Sequence, residues 1–363
     1  MTIILFIAVL VFLIWVHELG HFLAAKWARM RVDEFAIGFP PRIFAVKKGE
    51  TEYSLNLLPI GGYVRIFGEN GSEETSEGDR SRAFGLRPRH LQAIVLVAGV
   101  AMNILAAWLI FFAVAMIGSP AIVEEFEASD KSSLTVVAIM SDSPSDEAEV
   151  PLGAVIKNVR SGDQAIESLT PSSVSNFVTE NSESEIQIDY THKGNDASIT
   201  LTPQRGLIEN EPERAVIGLS SALVETVRQN PLEALVGATV RTYESLIAIT
   251  IGITTFLASA VTLSADVSQV TGPIGIAGMV GDAAEFGIVS LLIFTAFISL
   301  NLAVINLLPI PALDGGRLVF VAIEAITRRS IGDKWVGRVN LVGFVFLILL
   351  MIAVTYNDIL RLF

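Results

Sequence analysis

Long apolar segments separated by charged stretches dominate the sequence. Four of them are long enough to cross a bilayer as helices, namely residues 2–25, 91–117, 287–311 and 340–357, because ~20 residues at 1.5 Å each span the hydrocarbon layer. A fifth stretch, residues 245–263, is apolar but rich in Thr, Ser and Gly, and we expect it to form a helix at or partly in the membrane. The pattern predicts a multi-pass α-helical membrane protein with about four transmembrane helices.

The regions between these segments carry unequal positive charge. Residues 26–90 contain eleven Lys or Arg and residues 312–339 contain five, whereas residues 118–286 contain eight over more than twice the length of the first region. Basic loops stay in the cytoplasm, so we expect the first and third regions there. Both termini and the middle region would then be extracytoplasmic.

The middle region has the composition of a water-soluble domain. Residues 119–220 are acidic, and short β-like runs alternate with turn residues. The predicted elements are a helix at 171–179 and five strands at 134–140, 154–159, 185–190, 197–202 and 215–219. They indicate a small α/β or β-rich domain on the outer face.

The first basic region contains two apolar β-like segments, residues 53–59 and 62–66, with Gly61 and Gly62 at their junction. They predict a β-hairpin that lies against or dips into the membrane, which requires protein or water to satisfy its backbone. Residues 67–85 are rich in Gly, Ser, Glu and Asp, and they predict a flexible surface loop.

Composition narrows the possible functions. The chain is 52% hydrophobic with a mean hydropathy of +0.57, which is typical of a membrane protein. The net charge of −13 argues against a nucleic-acid partner. There is no Cys, so any zinc site must use His and carboxylate ligands.

The first apolar segment ends in the pattern H-E-x-x-H, formed by His17, Glu18 and His21. Two His residues four positions apart share a helix face and can bind one zinc ion, and the Glu beside them can take a proton from water. The alternative is two helix-lining His residues that happen to flank a Glu. Ionisable groups within an apolar helix are costly and tend to mark function, which favours the metal site.

A catalytic zinc ion needs a third protein ligand. Under the predicted topology the first and third segments run in the same direction, so Asp314 lies at a depth similar to that of the two His residues. Pro309 and Pro311 break the helix just before it, and broken backbone at membrane depth is a usual place for a site. An ordinary helix end just inside the cytoplasm is the alternative, and Glu324 is a weaker ligand candidate.

Three Asn residues lie within the apolar segments. We expect Asn103 and Asn301 to form hydrogen bonds between helices. Asn306 is close in sequence to Asp314, and it could either serve in the same way or position the substrate or the oxyanion.

Several motifs together resemble the site-2 protease family of intramembrane zinc metalloproteases, in its bacterial regulator-of-sigma-E-protease branch. They occur in the family's order and cover both halves of the membrane core. The matching stretches are HELGHF (17–22), LNLLPIGGYVRIFGE (55–69), AGVAMN (98–103), VTGPIGIAG (270–278) and NLLPIPALDGGR (306–317).

The resemblance implies a Zn²⁺ ion bound by His17, His21 and Asp314, with Glu18 as the catalytic base. It also implies that the hairpin is a membrane-reentrant element that holds an extended substrate strand, and that the end of the third helix clamps the substrate. The expected substrate-binding residues are Gly61, Gly62, Tyr63, Asn306, Pro309 and Pro311.

The resemblance further implies a single PDZ-like domain on the outer face. Two departures stand out. Residues 151–156 resemble the usual G-D-x-I turn but have Ala154 where Asp is common, and the segment from Gly99 to Asn103 lacks the proline of the family's G-P-x-x-N motif. We therefore expect an altered local helix geometry at the second motif, and peptide binding by the domain is not implied.

The predicted organisation has four parts. Two halves of a membrane core flank the PDZ-like domain and a linker with an amphipathic or membrane-associated helix. The predicted boundaries are 1–117 for the first half, 118–220 for the PDZ-like domain, 221–286 for the linker and 287–363 for the second half.

The expected function is cleavage of single-span membrane proteins within the bacterial inner membrane. Anti-sigma factors already trimmed by another protease and leftover signal peptides are the substrates that the resemblance implies. A zinc-binding scaffold or holdase that does not cleave is the alternative, although it would have no need of Glu18. A transporter is disfavoured because the sequence shows no inverted repeat. The oligomeric state stays open.

Overall fold

The structure is a computed structural model that describes most of the chain. The described residues are 2–69, 80–208, 211–262 and 271–360. They belong to two compact units. The helical unit comprises Met1–Ala113, Ala234–Gly281 and Leu292–Phe363, and the sheet unit comprises Val114–Glu233 and Asp282–Leu291. The four predicted domain boundaries stay predictions.

The helical unit begins with a long helix, two long strands and a second long helix. These elements are α1 (Thr2–Trp27), β1 (Val32–Lys48), β2 (Thr51–Ile66) and α2 (Arg89–Ile117). Helix α1 is followed by Arg29, whose φ of 56° lies in the left-handed region, while the Met30 amide donates to the Ala25 carbonyl at 2.8 Å. This is the usual hydrogen-bonding pattern of a helix end, and it turns the chain directly into β1.

The two strands do not form the predicted hairpin. Residues 34–37 of β1 pair with residues 62–65 of β2 and also with residues 52–55 of β2. The predicted pairing of 53–59 with 62–66 is therefore wrong, because the first part of β1 lies between them. Sequence periodicity cannot detect this, since it shows which residues are extended but not which strands pair.

A buried carboxylate holds this small sheet together. Glu34 is 1% exposed and accepts hydrogen bonds from Ser54 at 2.6 Å and from Arg42 at 3.0 Å, and its other oxygen contacts Arg65. A buried carboxylate is tolerated when its oxygens are paired in this way. The two halves of β1 and the two halves of β2 act as four extended segments. Because the partners of Glu34 come from both halves of β2 and from the second half of β1, Glu34 fixes the order of these four segments.

The predicted flexible loop at 67–85 is wrong for its described residues. Residues 70–79 lie outside the described part. On either side, Phe67 and Phe84 are each 3% exposed, and Arg80–Arg82 and Phe84–Leu86 form short 3₁₀ helices. The prediction of a flexible loop followed from the polar composition of residues 67–85. In the structure, the buried rings of Phe67 and Phe84 anchor the described residues in the helical unit.

The described residues of the sheet unit form seven strands and two short α-helices. They are β3 (Ser119–Val123), β4 (Ser133–Ile139), α3 (Pro144–Glu147), β5 (Val155–Ser161), β6 (Gln164–Ala165), α4 (Pro171–Glu180), β7 (Ile186–His192), β8 (Asn195–Leu201) and β9 (Leu219–Val227). The strand order is β3-β9-β4-β5-β7-β8, with β6 paired to β5. Val174 and Val178 of α4 pack on the sheet with Ile156 and Ile188, which provides the core.

Most of the secondary structure predicted for this unit agrees with the structure. Four predicted strands fall on β4, β5, β7 and β8, and the predicted helix is α4. The strand predicted at 215–219 is wrong, because β9 begins at Leu219 and the preceding Gly218 has a φ of 73°. Ala215 and Ile217 are buried outside any named strand, and Val216 between them forms a single antiparallel bridge with Gln204, so this apolar run is a buried segment that precedes β9. Strand β3 was missed because Pro120 lies within it, which only an edge strand tolerates.

The remaining helices are α5 (Pro231–Val261), α6 (Pro273–Glu285), α7 (Ile288–Leu307), α8 (Asp314–Thr327) and α9 (Asp333–Leu360). Among the described residues, five helices are long and apolar enough to cross a membrane, namely α1, α2, α5, α7 and α9. Helix α5 is longer than the predicted stretch at 245–263 and meets this criterion. The structure thus has several apolar helices compatible with a membrane protein, and its described residues hold one more candidate span than the four predicted.

The C-terminal helix ends against the start of α6. Asp358 of α9 is 4% exposed and accepts hydrogen bonds from the backbone amides of Gly272, Ile274 and Gly275 at 2.9–3.1 Å. The first amides of a helix have no partner within it, and a carboxylate is the strongest acceptor for them. The VTGPIGIAG motif therefore folds around a carboxylate from the end of the chain.

The turn between β1 and β2 is tied to the end of α1 by an ion-pair cluster. One oxygen of Glu50 accepts hydrogen bonds from Lys26 and from Arg82, both at 2.7 Å. These bonds, the one from Arg82 first, lower the pKa of Glu50 from 4.5 to about 2. The charged form of Glu50 is therefore favoured by folding.

We expect this cluster to make stability pH-dependent. Because the folded-state pKa is depressed, the stabilisation is fully present above about pH 4.5 and is lost as the pH falls towards 2. Unfolding of the purified protein should show wild type more stable than Glu50→Gln by up to about 1 kcal/mol near neutral pH, since Glu50 is partly exposed. That difference should shrink on acidification, and one that stayed constant would contradict the assignment.

Candidate active site

Three ligand atoms from distant parts of the chain converge in the helical unit. His17 and His21, one turn apart in α1, are each 8% exposed, and their Nε2 atoms are 3.1 Å apart. The Oδ2 atom of Asp314 lies 3.0 Å from Nε2 of His17 and 3.2 Å from Nε2 of His21. In the described part of the chain, these residues form the single group of three or more His, Asp or Glu that could hold a metal ion.

The spacing of these atoms fits zinc. Nitrogen and oxygen ligands at ~2.0–2.2 Å in a tetrahedral arrangement lie roughly 3.3–3.5 Å apart. The observed separations of 3.0–3.2 Å need to widen by only a few tenths of an ångström. Two imidazoles and one carboxylate are also a ligand set found at catalytic zinc, which leaves the fourth position open.

Residues of helix α2 orient the two imidazoles through contacts with their Nδ1 atoms. The Nδ1 atom of His21 donates to the Val95 carbonyl at 2.8 Å, and the Nδ1 atom of His17 lies 3.3 Å from the Asn103 amide. The helices approach closely because Gly99 has no side chain, since a Cβ there would lie 2.5 Å from Nε2 of His21. The AGVAMN motif therefore supplies both the space and the polar partners for the His pair.

Asp314 reaches the His pair through a tight turn between α7 and α8. Helix α7 ends at Leu307, and Ala312 takes a φ of 75°, a conformation that L-residues rarely adopt. A Cβ on Gly315 or Gly316 would collide with the backbone carbonyls of Leu308 or Ile310. The sequence Leu-Asp-Gly-Gly is thus the part of the turn that permits the carboxylate to point back at α1.

Glu18 lies between the His pair and strand β2. It lines a cavity of about 150 Å³ with His17, His21, Tyr63, Asp314 and Arg317 among the other lining residues. A Cβ on Gly62 would lie 3.3 Å from Cγ of Glu18, so the strand passes directly beside the carboxylate. An extended peptide next to this strand would be within reach of both Glu18 and the ligand cluster.

The other predicted substrate-binding residues lie in different surroundings. Gly61 packs under the ring of Phe39, which occupies the position its Cβ would take. Pro309 and Pro311 line a separate apolar groove of about 550 Å³ against α9. Asn306 is in the last turn of α7, and it is not among the residues that line the 150 Å³ cavity. Their roles in substrate binding stay predictions.

Of the remaining polar candidates, Asn301 and Glu324 bond elsewhere, whereas Asn103 contacts the cluster. Asn301 donates to the Phe297 carbonyl of its own helix at 2.9 Å, so the predicted bond between helices is not found. Glu324 forms an ion pair with Arg89 at 2.9 Å. Asn103 does join helices as predicted, because its side-chain amide lies 3.3 Å from Nδ1 of His17 in α1, and its backbone carbonyl also accepts from Ser299 of α7 at 2.8 Å.

Two charged residues that line the cavity, Glu69 and Arg317, were not among the predicted site residues. Arg317 forms an ion pair with Glu69, and its guanidinium lies 4.9 Å from the ring centroid of Phe84. Arg317 is three residues after Asp314 and so shares its helix face, which was a usable signal. The pairing with Glu69 joins residues 248 positions apart, and no local pattern shows it.

Comparison with known proteins places the chain in a family. The sequence profile of peptidase family M50 matches residues 5–350. A Clostridium perfringens protein with a provisional zinc-metalloprotease name is 36% identical over 350 residues, which covers 96% of this chain and 95% of that protein. The regulator of sigma-W protease RasP of Bacillus subtilis is 30% identical, and the match covers 100% of this chain and 99% of that protein. The zinc metalloprotease RasP of Geobacillus kaustophilus is 31% identical, and the match covers 100% of this chain and 98% of that protein.

Apolar helices that carry a cluster of two His residues and a carboxylate beside a Glu define a membrane metalloprotease. The chain belongs to peptidase family M50 and is a zinc metalloprotease. The resemblance found in its motifs is thereby confirmed.

Proposed function

We propose that this protein hydrolyses single-span membrane proteins within the bacterial inner membrane, as in regulated intramembrane proteolysis. The observation that carries the proposal is the position of Glu18 between the His17–His21–Asp314 cluster and an extended strand. Anti-sigma factors and leftover signal peptides are the proposed substrate classes, in keeping with the regulator of sigma-W protease among its relatives.

His17, His21 and Asp314 would hold the zinc ion. When bound, zinc supplies Lewis acidity to the reacting carbonyl and makes water nucleophilic near neutral pH. Glu18 takes the proton of the attacking water and returns it to the leaving nitrogen as the C–N bond breaks. Both protons of the water end on the leaving nitrogen, so the products are a carboxylate and a protonated amine.

The strand beside Glu18 would hold the substrate. A transmembrane helix satisfies all of its own backbone hydrogen bonds, so it must unwind before attack. Residues 62–66 of β2 pair with β1 along one edge, and no strand within the described residues pairs with their other edge. An unwound substrate segment could add to this edge by β-augmentation, which offsets the lost helical hydrogen bonds.

Asn103 would set the tautomer of His17. Zinc binding through Nε2 requires a hydrogen on Nδ1, and this hydrogen needs an acceptor. The Asn103 amide, which is fully buried, lies 3.3 Å from Nδ1 and has an oxygen without a hydrogen-bond partner. By turning over, the amide can present its NH₂ group to the zinc-free imidazole or its oxygen to the zinc-bound one.

The sheet unit would be a PDZ-like domain on the outer face, with both chain termini on the same side. A groove of about 220 Å³ lies between α4 and the start of β9, where Ser220 and Ser221 line it with Val174 and Val178. Strand β3 pairs only with Leu223–Val227, so the backbone of Leu219–Ala222 is open on that edge. We propose that this domain docks the outer part of a substrate or filters substrates by size.

The alternative of a zinc-binding scaffold that does not cleave is not favoured. Intact ligands alone would serve it, so the presence of Glu18 in the cavity favours the protease. Measurement of cleavage and zinc content together separates the two.

Glu18→Gln should abolish cleavage of a tagged single-span substrate in cells, by at least about 10³-fold, while the purified protein retains zinc. Asp314→Ala should abolish cleavage and also lose zinc. Glu324→Gln, which alters a carboxylate away from the cluster, is the matched control and should retain both. Cleavage by Glu18→Gln would exclude its role as the base, and full zinc content in Asp314→Ala would exclude that ligand.

Asn103→Leu should weaken zinc binding by about 10- to 100-fold, as expected when the hydrogen-bond partner of a ligating imidazole is lost. Asn103→Asp keeps an acceptor and should retain more of the affinity than Asn103→Leu. Asn301→Leu, which removes an amide that bonds only within α7, is the control and should bind zinc normally. Equal affinity in wild type and Asn103→Leu, measured by competition with a chelator, would contradict the role.

The chain has no Cys, so a single reporter can test the sheet unit. Ser221→Cys in intact cells should react with a membrane-impermeant thiol reagent, because we place the groove outside. Addition of a substrate's outer segment should slow the reaction several-fold if the groove docks it. Labelling only after the cells are broken would overturn the topology, whereas labelling unaffected by the peptide would leave size filtering as the role.

A further inference from the structure

The ion pair between Glu69 and Arg317 joins the helix that carries Asp314 to the segment that follows strand β2. Arg317 lies one turn after Asp314 in α8, and Glu69 follows the end of β2 by three residues. One guanidinium nitrogen of Arg317 contacts the Glu69 carboxylate, and the other donates to the Glu69 carbonyl at 2.6 Å. The other carboxylate oxygen of Glu69 accepts from the Ile66 amide at 3.3 Å. The pair therefore connects the candidate metal ligand to the strand proposed to hold substrate.

The same pair stands between two cavities. One is the catalytic cavity of about 150 Å³, and the other, of about 410 Å³, is lined by residues that include Arg80, Arg89 and Glu324. Glu69, Phe84 and Arg317 line both cavities. These three side chains thus form a shared wall, in which Arg317 lies against both the carboxylate of Glu69 and the ring of Phe84.

The catalytic cavity needs a supply of water. It lies among helices whose outer surfaces are apolar, and its volume of about 150 Å³ leaves room for only a small number of waters. Every hydrolytic event consumes one of them. The larger cavity carries several charged side chains, so it can be hydrated, and it is adjacent to the first one.

The chemistry of the wall suits a barrier that opens. Glu69 and Arg317 side chains are each about one-fifth exposed, and a partly exposed ion pair is only modestly stable because water can replace each partner. Water could not replace the contacts of a wall made only of aromatic and aliphatic side chains. The pair can therefore separate transiently and let polar species pass.

We propose that the Glu69–Arg317 pair, packed on Phe84, is the barrier that controls the passage of polar species between the larger cavity and the active site. The inference rests on the proposed zinc site and extends it with a route. A barrier of this kind controls how fast a polar species enters and leaves the site. It does not control how tightly the species is held once inside.

Zinc exchange measures this barrier without any substrate. Glu69→Ala opens the wall, and zinc release into excess water-soluble chelator should be on the order of tenfold faster than in wild type, about the effect of one lost charge-assisted hydrogen bond. Zinc uptake by the metal-free protein should accelerate by the same factor, so the dissociation constant should stay unchanged. Glu69→Gln, which preserves the shape of the side chain, should give a smaller acceleration in both directions.

Glu324→Ala is the matched control, because it breaks the Arg89–Glu324 ion pair of the larger cavity and leaves the shared wall intact. It should exchange zinc at the wild-type rate. Unchanged rates in Glu69→Ala would overturn the inference. Faster release with correspondingly weaker affinity would also overturn it, because the pair would then only support Asp314.

The result is separable from a failure of the zinc site itself. His17→Ala should contain no zinc in the same preparation. If it retained the wild-type amount, the proposed ligand set would be wrong before any exchange rate was interpreted.

Discussion

The placement of one carboxylate against two imidazoles is the constraint on which the helical unit depends. Three ionisable groups in an apolar setting are tolerated only when they are held together or bind a metal ion. Their ligand atoms meet within 3.2 Å although Asp314 is 297 positions from His17. The close helix approach at Gly99 and the left-handed Ala312 both serve this meeting, and a change at either would move a ligand.

Much of the site could be predicted because its chemically active residues occur in short local sequence patterns. The H-E-x-x-H spacing fixes a helix face, and the charge of the loops sets the relative depth of Asp314. The predicted pairing of residues 53–59 with 62–66 failed because periodicity does not determine strand order. Phe84 was predicted to lie in a mobile loop because its neighbours are polar, yet it forms part of the cavity wall. The contacts of Asn103 with His17 and of Arg317 with Glu69 are long-range, and no local pattern encodes them.

The helical unit uses carboxylates in three distinct ways. Glu34 accepts hydrogen bonds inside the small sheet, Asp358 accepts hydrogen bonds from backbone amides at the start of α6, and Glu69 pairs with Arg317 beside the cavity. Asp358 accepts from an amide 86 positions away and Glu69 pairs with an Arg 248 positions away, whereas Arg42, one of the donors to Glu34, is only 8 positions from it. An acidic chain therefore builds its long-range order with hydrogen bonds to charged groups, which are stronger than those between neutral groups.

The order of the extended segments between residues 32 and 66 also has a consequence for how the site is assembled during synthesis. The segment beside Glu18 is the last of the four to leave the ribosome, and its partner, residues 34–37, emerges first. The first segment must wait, unpaired on that edge, until the other three have been made. The edge proposed to accept substrate therefore takes shape only after α1 and the other three segments have been made, and the ligand cluster stays incomplete until Asp314 follows much later in the chain.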